Sequence, residues 1–289
     1  MNAGAVAIND LRSITESFDH VLLDQWGTLH EGKSIYRNAY DCVVRLRESG
    51  KRVLVLSNSG RRAEPNLKRL AALGLPRETY DGVLSSGEVT WNGLLARARE
   101  PFANLGRSCF LITRDHDRSI VDGVDLRVVA DISEADFILL GGLDEDVAEP
   151  AHWRARLSAA AARRLPMLCA NPDLVMFGRS GLKPAPGALA AFYQSLGGAV
   201  QFVGKPHRAM FEAALECLGN PAPERVLVIG DSLDHDIAGG RAMGMLTLLI
   251  SSGAHREALA NAADQQHALR LMAGLQARMP HWTMKHLVW

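Results

Sequence analysis

Apolar and polar positions follow two rhythms along this chain of 289 residues. Short unbroken apolar runs, Val21-Leu22-Leu23, Val53-Leu54-Val55-Leu56 and Val226-Leu227-Val228-Ile229, each give way to a polar residue or a glycine, as buried parallel strands do. Between the first two, Asn38–Ser49 has helical spacing: Ala39, Val43 and Leu46 share a face, Asn38 is the expected cap and Gly50 the stop. Strand, helix and strand in direct succession predict a parallel pair joined by a right-handed crossover. The rhythm returns later. Pro206–Leu218 predicts a helix with Met210, Phe211, Ala214, Leu215 and Leu218 inward and Gly219 ending it. Strand Val226–Ile229, helix Asp236–Met243 and strand Leu246–Ile250 follow. The run Ala238-Gly239-Gly240 is expected to let its helix lie close to the sheet.

The stretch between Ser57 and Lys205 is far longer than a crossover needs and has an α/β rhythm of its own. Ser108–Thr113, Leu126–Ala130, Phe137–Gly141 and Met167–Ala170 read as strands. Glu149–Leu165 reads as a helix with Trp153, Leu157 and Leu165 on one face. Residues 88–181 are therefore expected to form a second domain, inserted into a first made of residues 1–87 and 182–289. Near the C-terminus, Asp264–Met279 carries an apolar stripe of Leu269, Met272 and Leu275. The tail ends on Leu287-Val288-Trp289, expected to dock on the core, with a homodimer contact as the alternative.

Composition narrows the function classes. With 47% hydrophobic and 22% charged residues, the chain is of ordinary globular type. Lys+Arg and Asp+Glu balance at 32 each, which leaves no electrostatic footprint for nucleic acid and no polybasic patch for a membrane. No signal-peptide pattern and no apolar run of about 18 residues are seen, so a cytoplasmic protein is expected. Cys42, Cys109, Cys169 and Cys217 are widely spaced, excluding a Cys-x-x-Cys zinc or redox motif, and each is expected to be a small buried hydrophobe.

The chemistry sits where apolar runs end. Asp24 closes the first run within Asp24-Gln25-Trp26-Gly27-Thr28. Ser57-Asn58 closes the second, Gly204-Lys205-Pro206 follows Phe202-Val203, and Gly230-Asp231-Ser232-Leu233-Asp234-His235-Asp236 follows the last. Carboxylates at the carboxyl edge of a parallel sheet stand where open α/β folds place their ligands. These four segments, in this order, resemble the four motifs of the haloacid dehalogenase-type phosphohydrolases, over roughly Asp19–Gly253. The long insertion after the second motif, with Asn171-Pro172-Asp173 and Pro184–Leu189 at its exit, resembles the class IIA group, the NagD-like or p-nitrophenylphosphatase-like enzymes. The fold implied is α/β: a Rossmann-like, doubly wound parallel-sheet core with an inserted α/β cap domain of the kind that defines class IIA.

The resemblance implies residue roles. Asp24 is the nucleophile. Asp24, Asp231, Asp236 and the backbone carbonyl of Trp26 are the expected Mg²⁺ site, Asp236 acting through a metal-bound water. Mg²⁺ favours such oxygen donors. Ser57 and the amides of Asn58 and Ser59 are expected to bind the phosphoryl oxygens. Lys205 supplies a positive charge there and keeps Asp24 ionised. Asn171 and Asp173 are expected to contact the substrate. The pattern departs from the family at Trp26, where the motif carries a second Asp, the general acid. His30 and Glu31 follow closely as candidates to replace it, a packed or exposed loop histidine being the alternative reading of His30.

The expected activity is Mg²⁺-dependent hydrolysis of a small phosphorylated metabolite, such as a sugar phosphate or nucleotide monophosphate. Two alternatives stand beside it. One is a phosphometabolite-binding protein that has lost its acid. The other is a haloacid dehalogenase, whose halide leaves without a proton but whose cap lies between the first and second motifs and whose chemistry uses no metal.

Overall fold

The computed structural model describes residues 4–178, 181–261, 264–274 and 278–289. Its chain divides into two compact units: Met1–Ser57, Asn66–Leu84 and Met210–Trp289 form the first, and Asn58–Pro65 with Ser85–Ala209 the second.

The first unit is built on a seven-stranded sheet. Its order is Val6–Ala7, Trp282–Met284, Leu246–Ile250, Val226–Gly230, His20–Asp24, Arg52–Ser57, Gly82–Ser85. The pairings along the first six are all parallel. Successive strands step one way from His20–Asp24, and the later ones step the other way from Val226–Gly230. The junction of these two strands is thus the topological switch point of the sheet. The register sets Leu23 opposite Ile229 and Asp24 opposite Leu56, so Asp24, Ser57 and Asp231 emerge together at the carboxyl edge.

The central strands owe their stability to burial on both faces. Val21, Leu23, Val53, Val55, Leu227 and Ile229 pack in one cluster with Ala39, Cys42, Val43 and Leu46 of helix Arg37–Glu48. That helix begins one residue before the expected position. Its N-cap is Tyr36, whose side chain makes no capping bond, so Asn38 lies inside the first turn and does not cap. The helix predicted from Pro206 begins at Arg208, and Leu215 on it is only half-buried. The helix predicted over Asp236–Met243 is instead a π-helical turn, Leu233–Ile237, running into Ala238–Ala242. The close approach expected of its glycines is present: a Cβ on Gly240 would lie 2.8 Å from both Val228 and Thr247 side chains.

The tail docks on this core. Leu287 is buried there, and Val288 and Trp289 pack against the same cluster. Of the expected C-terminal stripe, Leu269 is buried with Met272 beside it, and Leu275 lies outside the described residues. Cys42, Cys109 and Cys169 are buried, whereas Cys217 is exposed, on the outer side of its helix. No helix among the described residues is long and apolar enough to cross a membrane.

The second unit holds a five-stranded parallel sheet, ordered Val200–Phe202, Met167–Cys169, Phe137–Leu140, Ser108–Ile112, Arg127–Val129. Trp153, Leu157 and Leu165 are buried in its core beside Leu189 and Tyr193 of helix Pro186–Ser195. The helix expected over Glu149–Leu165 is instead a 3-10 turn, Pro150–Trp153, followed by a shorter α-helix, Arg154–Ala162, with Leu165 beyond its end. An antiparallel pair, Val175–Gly178 with Gly181–Pro184, stands apart from that sheet. This unit reaches past the expected boundary at residue 181. Strand Val200–Phe202 pairs in parallel with Met167–Cys169, and the pairing draws the segment up to Ala209 into the second unit.

Candidate active site

Asp24, Asp231 and Asp236 converge in the first unit. Each offers a carboxylate oxygen, and these oxygens all lie within 4.8 Å of one another. Asp24 ends one central strand and Asp231 follows its neighbour. Asp236 is brought back to them by the π-helical turn, which carries it over Gly230 and buries it to 2% exposure. A Cβ on Gly230 would lie 2.1 Å from the Asp236 carboxyl carbon, so the strand's last residue has no room for a side chain. The amide of Ser232 donates to Asp236 Oδ2 at 3.3 Å, and the Ser232 hydroxyl accepts from the His235 amide at 3.2 Å, closing the turn at both ends. Asp231 Oδ2 accepts from the amide of Ala254 at 2.7 Å. Three carboxylates this close repel one another unless a cation joins them, and an all-oxygen donor set of this kind suits a hard divalent cation.

The loop after Asp24 is folded around Trp26. Gly27 donates to the His30 carbonyl at 2.9 Å, and Leu29 to the Gln25 carbonyl at 2.8 Å. The indole meets the edge of the His30 ring at 5.1 Å between centroids, and the Arg69 guanidinium lies 5.1 Å from its ring. Gly32, at φ +95°, leaves room for it: a Cβ there would fall 2.5 Å from the indole. The indole remains 37% exposed.

His30 is the packed loop histidine of the two readings. It is fully buried, and its Nδ1 accepts from the Gly32 amide at 3.1 Å. Burial, aided by the Arg69 charge, pushes its pKa down to about 4. At neutral pH it is an uncharged imidazole, not a reservoir of protons. Tyr36, which the sequence reading did not single out, has a phenol bonded to Glu31. Burial and that carboxylate push its pKa up, so it stays protonated.

Ser57 ends its strand in the first unit, with Oγ 3.5 Å from Asn66 Oδ1. The next residue, Asn58, begins the second unit, which also holds Ser59, Asn171, Asp173 and Lys205. Asn58 organises this group through both ends of its amide. Its Oδ1 accepts from the Lys205 amide at 2.7 Å, and its Nδ2 donates to Asp173 Oδ1 at 2.8 Å and to the Lys205 carbonyl at 3.2 Å. Asn171 Oδ1 accepts from the Asp173 amide at 2.9 Å. Gly204 permits this packing: a Cβ would lie 2.7 Å from Asn58 Oδ1 and 2.5 Å from Pro172. Lys205 is 2% exposed. The Ser59 carbonyl accepts from Gly87 N–H and the Ser86 hydroxyl, both at 3.0 Å.

Residues 21–127 match the haloacid dehalogenase-like hydrolase family and residues 202–275 the HAD-hydrolase-like family. Human chronophin is 31% identical over 273 residues, covering 90% of this chain and 90% of that protein. The chain belongs to the haloacid dehalogenase-like hydrolases. Within that family, the sugar-phosphatase AraL of Bacillus subtilis (strain 168) is 28% identical, covering 82% of this chain and 84% of its own. The structure of a haloacid dehalogenase-like hydrolase from Brucella suis 1330 superposes with a TM-score of 0.81 at 30% identity. It covers 97% of this chain and all of that one. The Rossmann-like α/β core of this hydrolase is therefore the family's core, and its carboxylate trio stands at the sheet edge where α/β folds bind ligands.

Proposed function

We propose that this hydrolase is a Mg²⁺-dependent phosphoric monoester hydrolase that works through an aspartyl-phosphate on a small phosphorylated metabolite, such as a sugar phosphate or nucleotide monophosphate. The observation that carries the reading is the convergence of Asp24, Asp231 and Asp236 at the sheet's switch point. The relatives' names, chronophin aside, point the same way: sugar-phosphatase and 5'-nucleotidase are among them.

Asp24 serves as nucleophile, its carboxylate oxygen forming a bond to phosphorus while the bond to the leaving oxygen breaks. Water then attacks phosphorus and releases Asp24 and inorganic phosphate. Asp24, Asp231 and the Trp26 carbonyl would hold Mg²⁺ directly, and Asp236 would act through a water. When bound, the cation offsets negative charge on the phosphoryl oxygens. Ser57 and the amides of Asn58 and Ser59 bind those oxygens, and Lys205 adds a positive charge. The second unit serves as cap, with Asn171 and Asp173 selecting the substrate.

Trp26 stands where the family motif carries its general acid, and the neutral, buried His30 does not replace that acid. If neither Glu31 nor another group supplies that proton, the leaving oxygen departs with little assistance. Assistance of that kind is worth about 10²–10⁴-fold, so aryl and acyl phosphates should be cleaved at least a hundredfold faster than alkyl phosphates.

The test is phosphate release from a panel of aryl, acyl, sugar and nucleotide phosphates, with and without Mg²⁺. Release that needs Mg²⁺ and favours acidic leaving groups is expected. Tight binding of one metabolite without turnover would establish a binding protein instead. Dehalogenation of a 2-haloacid in excess chelator would establish a dehalogenase.

A further inference from the structure

We propose that Gly253, Ala254 and His255, three consecutive residues after strand Leu246–Ile250, form a positioning clamp that presets Asp231 as a metal ligand. The proposal rests on the Mg²⁺ reading given above.

Each residue holds the start of the Asp231–Asp236 loop in a different way. Gly253 closes on the side chain sterically. A Cβ there would lie 2.2 Å from Asp231 Oδ2, 2.3 Å from its Cβ and 2.6 Å from its carboxyl carbon, and these are its three nearest atoms. Its φ lies outside the left-handed region, so the backbone does not call for glycine at this position; Asp231 does. Ala254 donates its amide to Asp231 Oδ2 at 2.7 Å. His255 Nε2 accepts from the Leu233 amide at 3.1 Å, fixing the backbone two residues further on. Gly27 forms the opposite wall: its Cβ would lie 1.9 Å from Asp231 Oδ2 and 3.3 Å from the Gly253 Cα. The carboxylate thus lies in a slot between two glycines, with one oxygen pinned by an amide.

A slot of this shape matters for metal binding. A free aspartate samples several side-chain rotamers, and ordering it costs part of the binding free energy each time a cation arrives. Outer contacts that orient a ligand typically change metal affinity 10- to 100-fold. The clamp touches Asp231 and its loop, not the reacting atoms, so these three are positioning residues. Their loss should appear as a higher Mg²⁺ requirement, with kcat recovered at saturating Mg²⁺.

The test is Mg²⁺ affinity by titration calorimetry for Gly253→Ala, His255→Phe, His255→Gln and Asp231→Asn. Alongside it, unfolding temperature is measured without Mg²⁺, and kcat and KM across Mg²⁺ concentrations. Gly253→Ala should weaken Mg²⁺ binding at least about tenfold. His255→Phe removes the acceptor and should weaken it less; His255→Gln restores an acceptor and should recover most of the loss. If Gly253→Ala fails to fold, the His255 pair decides. Wild-type affinity in Gly253→Ala and His255→Phe, with binding lost in Asp231→Asn, would overturn the clamp and leave the metal site standing. Wild-type affinity in Asp231→Asn would remove the metal site and the clamp with it.

Discussion

The carboxylate trio of the first unit and the Asn58 group of the second are held in place by different means. Asp231 and Asp236 occupy space that side chains at Gly27, Gly230 and Gly253 would fill, and each accepts a backbone amide. Asn58, Asp173 and Lys205 are held by complementary polarity, one amide side chain satisfying a donor, an acceptor and a carboxylate. The first arrangement fails when an atom is added. The second fails when a polar atom is removed. Several like charges cannot hydrogen-bond to one another, so two of these carboxylates take backbone amides and the room that glycines leave.

That contrast predicts different responses. Gly230→Ala should have the largest effect. Its methyl would collide with the Asp236 carboxyl carbon at 2.1 Å in a fully buried strand, and overpacking of this kind costs about 3 kcal/mol. Chemical denaturation should report that loss, and calorimetry a loss of Mg²⁺ binding. A stable Gly230→Ala protein with normal affinity would break the steric half of the comparison.

Asn58→Leu comes next. It keeps the volume but removes the acceptor of the Lys205 amide and a donor to the Asp173 carboxylate, for about 2 kcal/mol. Stability should fall while Mg²⁺ affinity stays within about twofold of wild type, because every proposed metal ligand lies in the other unit. Loss of Mg²⁺ binding in this variant would show that the two groups are one network.

The smallest effect is a pH dependence of stability. The folded-state pKa of His30 is held down at about 4 by burial, below its ordinary value of 6.5. The unfolded chain therefore takes up the proton first. The stability contributed by neutral His30 is present above its unfolded value and is lost as pH falls towards the folded one. His255 and His281, also lowered by burial, act in the same direction. From roughly pH 7 to roughly pH 5.5, His30 alone should remove about 1 kcal/mol. Unfolding temperature against pH, in wild type and His30→Phe, measures it; identical slopes in the two proteins would reject the assignment.

Much of the core was legible because each central strand is an unbroken apolar run, and each run delivers its polar residue to the same edge. Asp24, Ser57 and Asp231 could be placed on that logic alone. The edge strand Val6–Ala7 and its neighbour Trp282–Met284 could not, being two and three residues long and without an apolar run. Nor could the reach of the second unit, since nothing in Val200-Gln201-Phe202 announces that its partner is Met167–Cys169. The burial of Asp236 depended on a π-helical turn where ordinary α-helical spacing was expected. The Asn58–Asp173 bond joins residues 115 apart and left no local signal. Gly253 did leave one: a glycine just past a predicted strand, on the edge that carries the carboxylates.

The most direct test of the whole account is Asp24→Asn, assayed for release of p-nitrophenol from p-nitrophenyl phosphate in saturating Mg²⁺, with circular dichroism on the same samples. An amide is a poor nucleophile, so turnover should fall by at least about a thousandfold while the spectrum stays that of the wild type. Turnover within a few-fold of wild type would remove Asp24 from the mechanism and contradict the account.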